Sequence, residues 1–110
     1  MTDLEITRLC AESIGSYFIG EWSKATPPQF SSSLAVQYSA ADKFINYDPL
    51  HDDAQAMALV KKFGVEIHCR RDRNGWYASI VEGKGMTPHA DLNRAICECV
   101  AKMQEAKREG

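Results

Sequence analysis

One short stretch of the chain carries the residue types of a hydrolytic metal site. His51 lies close in sequence to Asp48, Asp52 and Asp53, and carboxylates with imidazole can hold a divalent cation that activates water. The same aspartates precede a helical pattern, where carboxylates accept hydrogen bonds from the backbone N–H groups of a helix start. A single stretch also supplies no second group of ligands. The capping interpretation is therefore favoured, and the sequence predicts neither a bound metal nor a cofactor.

A second group of residues has the chemistry of an anion-binding surface. It surrounds an Asn-Gly dipeptide and consists of Arg70, Arg71, Arg73, Trp76, Tyr77 and Lys84. Guanidinium groups bind phosphates and aromatic faces stack on bases, so this set could hold a nucleotide or a nucleic acid. Asp72 and Glu82 dilute the positive charge, and an acidic protein surface would be an equally suitable ligand. The favoured alternative is a solvated surface that binds nothing.

Patterns typical of catalysis do not stand out. The serines lack the nucleophile-elbow pattern, and Gly83-Lys84-Gly85 is too short to form a phosphate-binding loop. His68 and His89 are isolated in the sequence from other candidate ligands. We therefore expect a protein that is not an enzyme and has no catalytic residues.

Length and composition indicate one ordinary globular domain. The chain has 110 residues, of which 45% are hydrophobic and 25% are charged, and this length suits a single core. The formal net charge of −2 gives no support to nucleic-acid binding by bulk electrostatics, although a local basic patch is compatible with it. Neither a membrane-spanning apolar run nor a secretion signal is recognisable. We expect a cytoplasmic protein.

The four cysteines are interpreted as buried, reduced thiols. Cys10, Cys69, Cys97 and Cys99 fall at apolar positions of predicted helices and a strand, and none forms a C-x-x-C pair. A reduced cysteine packs as a small hydrophobic residue. The pattern therefore favours core positions over zinc binding or disulfides.

Residues 65–81 are predicted to form a central β-hairpin. Asn74-Gly75 is typical of a two-residue turn with positive φ angles, and a turn centred there places Arg73 opposite Trp76 and Cys69 opposite Ile80. One face of this hairpin is apolar and should meet the core: Val65, Ile67, Cys69, Ala78 and Ile80. The residues expected to be almost fully buried are Ile67, Ile80, Leu59, Ile96 and Val100.

Three helices are predicted to pack on this hairpin. The first covers residues 3–14, with a capping box of Thr2 and Glu5 and a stop at Gly15. The second starts at Asp52 and ends at Gly64, with an apolar stripe of Ala56, Leu59, Val60 and Phe63. The last begins at Asp91 or, alternatively, at Thr87-Pro88. Its apolar stripe is Leu92, Ala95, Ile96, Cys99, Val100 and Met103, and residues 104–110 are expected to fray.

The segment 20–46 has weak patterns and is predicted to be a weakly structured insertion. Pro27-Pro28 and a run of three serines interrupt regular structure. Leu34, Val36 and Tyr38 alternate as in a short edge strand, and residues 39–44 could form a helical turn. A variable surface loop is the favoured alternative. The whole chain, 1–110, is then a single α+β domain, an αβ-sandwich in which a small antiparallel sheet lies between helices.

Two blocks of the chain resemble a known family. Residues 47–64 read YDPLHDDAQAMALVKKFG and residues 91–103 read DLNRAICECVAKM. Together with the N-terminal helix and the WYA of the hairpin, these blocks resemble the phage ABA-sandwich domain of small phage and prophage proteins, to which NinX-like proteins of lambdoid phages are distantly similar. The resemblance covers residues 1–15 and 47–103, and residues 20–46 have no counterpart in it.

The resemblance implies a phage-encoded protein with a sheet sandwiched by helices. The family has no established reaction or catalytic motif, so no functional residue is carried over to this chain. We expect a non-catalytic phage or prophage accessory protein that binds a host or antiviral-defence protein in the host cytoplasm. The alternative is a nucleotide or nucleic-acid binder that uses the arginine-rich hairpin tip. Neither a membrane nor a cofactor is expected as a partner, and a homodimer is left open.

Overall fold

A computed structural model of the protein describes residues 1–20, 32–41, 43–71, 74–80 and 87–109, without the side chains of residues 87, 88 and 109. The helices in these ranges are α1 (Asp3–Ser13), α2 (Asp53–Phe63) and α3 (Leu92–Glu109). The strands are β1 (Phe18–Gly20), β2 (Leu34–Gln37), β3 (Ile45–Tyr47), β4 (Val65–Cys69), β5 (Trp76–Ile80) and β6 (Thr87–His89). Among these helices, none is both long enough and apolar enough to cross a bilayer.

The predicted α+β class is confirmed, and its strands divide into two sheets. Both sheets are antiparallel, with the strand orders β1-β2-β3 and β4-β5-β6. Helix α3 packs against α1, α2, β5 and β6, whereas α1 also contacts β1 and β2. One core therefore serves both sheets. Its fully buried members include Ile6, Leu34, Val36, Leu59, Ile96 and Val100.

Helices α1 and α2 begin and end close to the predicted positions. The hydroxyl of Thr2 accepts a hydrogen bond from the backbone N–H of Glu5 at 3.1 Å, and Asp52 accepts one from the N–H of Gln55 at 3.0 Å. Each bond satisfies a donor that has no partner inside the helix. Gly64 ends α2 with a left-handed φ of 65°, a conformation that glycine adopts without steric strain.

Helix α3 begins after Asp91, as the first of the two predicted starts requires. The Asp91 carboxylate accepts a hydrogen bond from the N–H of Arg94 at 3.0 Å. The alternative start at Thr87-Pro88 is wrong, because these residues belong to β6. The prediction of a fraying end is also wrong up to Glu109, where the helix ends. The guanidinium of Arg94 binds Asp3 of α1 at 2.5 Å and Glu98 at 3.1 Å, so α3 is tied to the start of α1.

The predicted hairpin is present, but its predicted turn and register are wrong. The backbone N–H of Arg70 donates to the carbonyl of Gly75 at 2.9 Å, so the connection is longer than two residues. The observed partners are Cys69 with Trp76, Ile67 with Ala78 and Val65 with Ile80. Cys69 therefore pairs four positions away from the predicted Ile80. Because this shift is even, each side chain keeps its predicted face.

Gly75 serves close packing rather than a positive φ angle. Among the described glycines, the positive φ angles belong to Gly15 and Gly64. A Cβ atom on Gly75 would lie 3.0 Å from the carbonyl oxygen of His89 and 3.1 Å from Cδ of Arg70. The glycine thus lets β6 approach the end of the hairpin. A hairpin without β6 would not need this close approach to the backbone of His89.

Burial follows the predicted core in the helices but only in part in the hairpin, where Val65 and Ala78 are buried. Leu59, Ile96 and Val100 are at most 1% exposed, as predicted. Ile67 and Ile80 are only partly buried at the edge of this core, so the prediction of nearly complete burial is wrong for them. Their short strands leave these positions only partly covered by the helices.

Three of the four cysteines are buried as predicted. Cys10, Cys97 and Cys99 lie in the core, whereas Cys69 is exposed, because it is the last residue of β4 and adjoins the loop. All four cysteines lie in the described ranges and none forms a disulfide. The thiol of Cys10 donates to the backbone carbonyl of Cys97 at 3.5 Å, and the neighbouring Cys10 side chain together with burial raises the pKa of the Cys97 thiol. The Cys97 thiol therefore stays protonated and poorly nucleophilic.

The described part of the segment 20–46 contains strands. The predicted strand at Leu34 is confirmed as β2, but it is the central strand of its sheet and not an edge. The strands on both sides of it, β1 and β3, come from residues without a clear alternating pattern. The predicted helical turn at 39–44 is absent from the described residues of that range. Residues 21–31 and 42 lie outside the description.

Candidate functional site

The basic hairpin tip predicted from the sequence is only partly described. Arg73 and Lys84 lie outside the described residues, while Arg70 and Arg71 are exposed beside the loop. The guanidinium carbon of Arg70 lies 5.9 Å from the ring centre of Tyr77, a distance typical of a cation–π contact. Two positive side chains are therefore brought together at this tip.

The aromatic residues of the tip are already engaged within the protein. Trp76 is partly buried and packs against the core, and the ring of Tyr77 has Arg70 over it. On the same sheet, Nε2 of His68 lies 3.6 Å from Oε2 of Glu66, and both side chains are about half exposed. A base that stacked on the face of Tyr77 that Arg70 covers would have to displace Arg70. In the described part of the tip, both aromatic rings thus have contacts within the protein, while Arg70 and Arg71 are exposed.

The residues of the proposed metal site do not converge. Asp52 caps α2 through its Oδ1 atom, and Asp53 accepts a hydrogen bond from Asn93 at 2.7 Å. Among the described residues there is no group of three or more His, Cys, Asp or Glu side chains that could share a metal ion. Only Asp48 and His51 remain together.

Asp48 is instead the centre of a buried hydrogen-bond network. It is 4% exposed, and its carboxylate accepts bonds from the hydroxyls of Ser32 at 2.8 Å and Ser33 at 3.1 Å. Nδ1 of His51 lies 2.9 Å from the same carboxylate and 3.1 Å from the Ser32 hydroxyl. A buried carboxylate requires such partners. The network joins the residues before β2 to those after β3, and Ser32, at 1% exposed, is inaccessible as a nucleophile.

Gln55 attaches the start of α2 to strand β3. Its Oε1 accepts from the backbone N–H of Asp48 at 2.6 Å, and its Nε2 donates to the carbonyl of Asn46 at 2.9 Å. These two backbone groups would otherwise be open to pairing with another strand. The side chain therefore covers this part of the β3 edge and fixes α2 beside the sheet.

The clearest exposed apolar feature lies at one end of the sheet β1-β2-β3. Six large hydrophobic side chains are exposed in the described part of the chain, and four of them belong to residues at this end of the sheet. We call these four the aromatic surface: Tyr17 (64% exposed), Phe18 (49%), Tyr38 (43%) and Phe44 (51%). The rings of Phe18 and Phe44 meet edge to face, with their centres 5.4 Å apart, a favoured geometry for aromatic pairs.

Strand pairing brings the aromatic surface together. Phe18 pairs with Gln37, and Val36 pairs with Ile45, so Phe44 follows on the other side of Gln37. The backbone N–H of Tyr17 donates to the carbonyl of Gln37 at 2.8 Å, which brings Tyr17 to the same end of the sheet. Three segments that are distant in sequence thus meet at this end of the sheet, where Phe18 and Phe44 share one face.

Gly20 provides the position on which the ring of Phe18 rests. A Cβ atom at Gly20 would lie 2.6 Å from Cε1 of Phe18, too close for any other residue without a shift of the ring. A glycine in a strand is often covered by an aromatic neighbour in this way. Phe18 therefore has a defined orientation although about half of it is exposed.

A cleft of about 220 Å³ has Tyr38 in its wall. It lies between the start of α2, the end of α1 and the sheet β1-β2-β3. Its lining residues are Ile14, Tyr38, Tyr47, Asp52, Ala54, Gln55, Ala58 and Leu59. Most of these residues contribute apolar atoms to the wall. The polar residues are Asp52 and Gln55, at the start of α2, and the two tyrosines.

The two tyrosines of the cleft remain neutral phenols. Burial raises the pKa of Tyr47, and burial also raises the pKa of Tyr38. Tyr47 is 2% exposed, and within the described part of the chain neither hydroxyl has a hydrogen-bond partner. A buried hydroxyl without a partner is unusual in folded proteins. The cleft therefore contains hydrogen-bonding groups that the protein itself leaves unused.

Sequence reasoning did not identify the aromatic surface or the cleft. The available signal was the number of aromatic residues between 17 and 47, in a region without a charged or amphipathic pattern. Their convergence depends on pairing between strands that the sequence indicates only weakly. Comparison of the chain with known protein families, with curated proteins and with solved structures found no match.

Proposed function

We propose that this protein is a non-catalytic binding protein whose aromatic surface contacts another protein. The observation that carries this proposal is the contact between the half-exposed rings of Phe18 and Phe44, at an end of the sheet where Tyr17 and Tyr38 are also exposed. Exposed apolar groups that cluster, rather than being scattered singly, mark interaction sites. Aromatic residues are also enriched in protein interfaces and among the residues that dominate binding energy.

The proposed partner is a host or antiviral-defence protein, and the chain is proposed to be a phage or prophage accessory protein. Support for this origin is limited to the resemblance of residues 47–64 and 91–103 to the phage ABA-sandwich domain. The host cytoplasm is the corresponding location. No reaction is proposed, since Ser32 and the carboxylate of Asp48 are buried and bonded to each other.

The test is a binding measurement with a matched pair of variants. Proteins captured by the tagged chain from infected host cells are identified by mass spectrometry, prepared in pure form and titrated by calorimetry. The variant Phe18→Ser/Phe44→Ser should bind at least roughly 30-fold more weakly, because the loss of even one interface residue of this kind costs about 2 kcal/mol. The control Met57→Ser removes an exposed apolar side chain, 42% exposed, outside the aromatic surface and should bind as the parent does.

Self-association is measured first by sedimentation velocity, because a homodimer would use the same kind of surface. Circular dichroism then establishes that each variant is folded. Equal affinity of Phe18→Ser/Phe44→Ser and the parent for the pure partner would rule out the aromatic surface as the contact.

A second candidate function is binding of a nucleotide or nucleic acid at the hairpin tip. The observation that favours it is the exposure of Arg70 and Arg71 beside one another, since guanidinium groups bind phosphates. Arg70→Ala/Arg71→Ala should then weaken binding to single-stranded nucleic acid and make it less sensitive to salt, because fewer counterions are released. Absence of salt-sensitive binding by the parent would exclude this candidate.

A further inference from the structure

Strand β4 forms one edge of the sheet β4-β5-β6. Among the described strands, β5 lies along one side of β4 and none lies along its other side. The backbone N–H of Arg70 donates to the carbonyl of Gly75, so the backbone groups of Arg70 point towards β5. These directions alternate from one residue to the next along an antiparallel strand. The backbone groups that point away from β5 therefore belong to Val65, Ile67 and Cys69.

This edge lacks the features that usually prevent a strand from pairing with another chain. Exposed edges are commonly protected by lysine, by proline or by a bulge. The sequence of β4 is VEIHC, and its five residues pair one to one with β5, so none of these three devices is present in it. Ile67 is only partly buried and Cys69 is exposed. The edge is therefore regular, accessible and apolar on one face.

A second copy of the chain fits this edge in one register. When two identical strands pair antiparallel about a two-fold axis, residues whose backbone groups point outward must face each other. An axis through Ile67 meets this condition for the whole strand, because Ile67 faces Ile67 of the second copy and Val65 faces its Cys69. An axis through Glu66 or His68 keeps the hydrogen-bonding pattern but shortens the paired segment.

Charge favours the same register. With the axis through Ile67, Glu66 of each copy lies directly opposite His68 of the other. These two side chains are about half exposed, and within one chain Oε2 of Glu66 lies 3.6 Å from Nε2 of His68. Opposite charges that face each other across two strands stabilise a sheet, whereas like charges destabilise it. An axis through Glu66 would instead place two carboxylates opposite each other.

We propose that two copies of the chain associate by antiparallel pairing of β4 with β4 about a two-fold axis at Ile67. The two three-stranded sheets then become one continuous sheet in the order β6-β5-β4-β4-β5-β6, and the two β4 strands share roughly six new backbone hydrogen bonds. A contact of this small size gives a reversible dimer rather than a permanent one. Phe18 and Phe44 belong to the other sheet or its flank and take no part in the pairing.

The first test locates the contact in the unmodified chain. Sedimentation equilibrium should show a reversible monomer–dimer equilibrium, and amide hydrogen exchange is then followed by NMR at low and high protein concentration. The amides of Ile67 and Cys69 should exchange about tenfold more slowly once roughly nine-tenths of the chains are paired. The amide of His68, which points towards β5 in both states, should change much less. A monomeric parent, or a dimer without this protection, would overturn the proposal.

A charge exchange tests the register without disturbing the core. His68→Glu places a carboxylate opposite Glu66 at two symmetric positions and should weaken the dimer about tenfold. Glu66→His/His68→Glu again places a carboxylate opposite an imidazole, and its dissociation constant should return to within about threefold of the parent value. Circular dichroism establishes that both variants are folded. Equal dimerisation of His68→Glu and the parent would contradict the proposed register.

Cysteine substitution tests the position of the axis. In a Cys69→Ser background, Ile67→Cys places a thiol on each of two facing residues, whose Cα atoms should lie about 5.5 Å apart, within the range of a disulfide. Oxidised glutathione takes up the two electrons and should convert the pair into a covalent dimer. The control Glu66→Cys in the same background places its two thiols diagonally, roughly 7–8 Å apart, and should cross-link far more slowly. Equal cross-linking would remove the axis from Ile67.

Failure of this proposal is distinguishable from failure of the proposed function. Phe18→Ser/Phe44→Ser should dimerise as the parent does. Loss of the dimer in that variant would assign self-association to the aromatic surface and overturn pairing through β4. A monomeric parent whose binding to a pure partner depends on Phe18 and Phe44 would leave the proposed function standing and remove the β4 dimer.

Discussion

In the sheet β1-β2-β3, the rings of Phe18 and Phe44 rest on each other and stay about half exposed. In the sheet β4-β5-β6, the ring of Tyr77 is covered by Arg70. The first sheet thus leaves apolar area in contact with water, which is unfavourable unless a partner covers it. The second sheet covers its aromatic ring with a charged side chain that remains hydrated.

The comparison teaches that exposed charge and exposed apolar area carry different information. Arg70 and Arg71 indicate a possible binding surface in the sequence because they are charged and adjacent, yet such side chains are common on protein surfaces. Phe18 and Phe44 are distant in sequence and become informative only when strand pairing brings them together. Binding should therefore be tested first at the aromatic surface, although the sequence indicates it less clearly than the arginines.

The largest expected difference between the sheets is in core packing. Leu34 of β2 is 0% exposed, so Leu34→Ala should lower the free energy of unfolding by about 2–5 kcal/mol. Ile67 of β4 is only partly buried, and Ile67→Ala should have a clearly smaller effect. Urea denaturation of both variants measures the two values. Equal losses would mean that both sheets are packed equally tightly.

The network around Asp48 should make the next largest contribution, and it belongs to the first sheet alone. Asp48→Asn removes a buried acceptor of the Ser32 and Ser33 hydroxyls and should lower the free energy of unfolding by about 1–3 kcal/mol. The control is Asp53→Asn at an exposed aspartate, with an expected change of at most about 0.5 kcal/mol. Thermal and urea unfolding should rank the two variants in this order. Similar stability of both variants would show that the network contributes little.

Alkaline pH should destabilise the protein through groups buried between the first sheet and the helices. The neighbouring Cys10 side chain and burial raise the pKa of Cys97, and burial raises the pKa of Tyr47. The unfolded chain therefore releases these protons first, so stability is retained below about pH 8.5 and falls above it, by roughly 1.4 kcal/mol per pH unit for each titrating group.

Two cysteine variants separate this effect from general alkaline damage. Cys97→Ala should reduce the slope of the unfolding free energy between about pH 8.5 and 10. Cys69→Ala, at the exposed thiol of the second sheet, should leave that slope unchanged. The reverse result would assign the alkaline sensitivity to the second sheet.

The smallest expected effects lie at the hairpin tip. Arg70→Ala removes the contact with Tyr77 and should lower the free energy of unfolding by about 0.5–1 kcal/mol. Arg71→Ala should change it by less than about 0.5 kcal/mol. Paired urea titrations can resolve this difference. A decrease in the free energy of unfolding of more than about 2 kcal/mol for either variant would mean that the tip contributes substantially to the stability of the fold.

Local patterns in the sequence were sufficient to place the helices. The caps at Thr2, Asp52 and Gly64 depend only on residues a few positions away, and each starts or ends its helix as predicted. Of the reciprocal capping box predicted for Thr2 and Glu5, the structure shows the bond that the Thr2 hydroxyl accepts. The face of each hairpin residue was also predictable, because alternation along a strand survives an even shift of register. The register itself was not, since it depends on a loop and on a third strand that approaches Gly75.

Tertiary structure decided the candidate site. By itself, the sequence determined three helices, one hairpin and the α+β class, all from signals between near neighbours. The first sheet pairs residues 18–20 with 34–37 and 34–37 with 45–47, and short strands carry too little pattern to specify such distant partners. The aromatic surface and the cleft exist only after that pairing and after Gln55 fixes α2 beside β3. Local patterns could place the elements, but only the packed chain could show which side chains remain uncovered together.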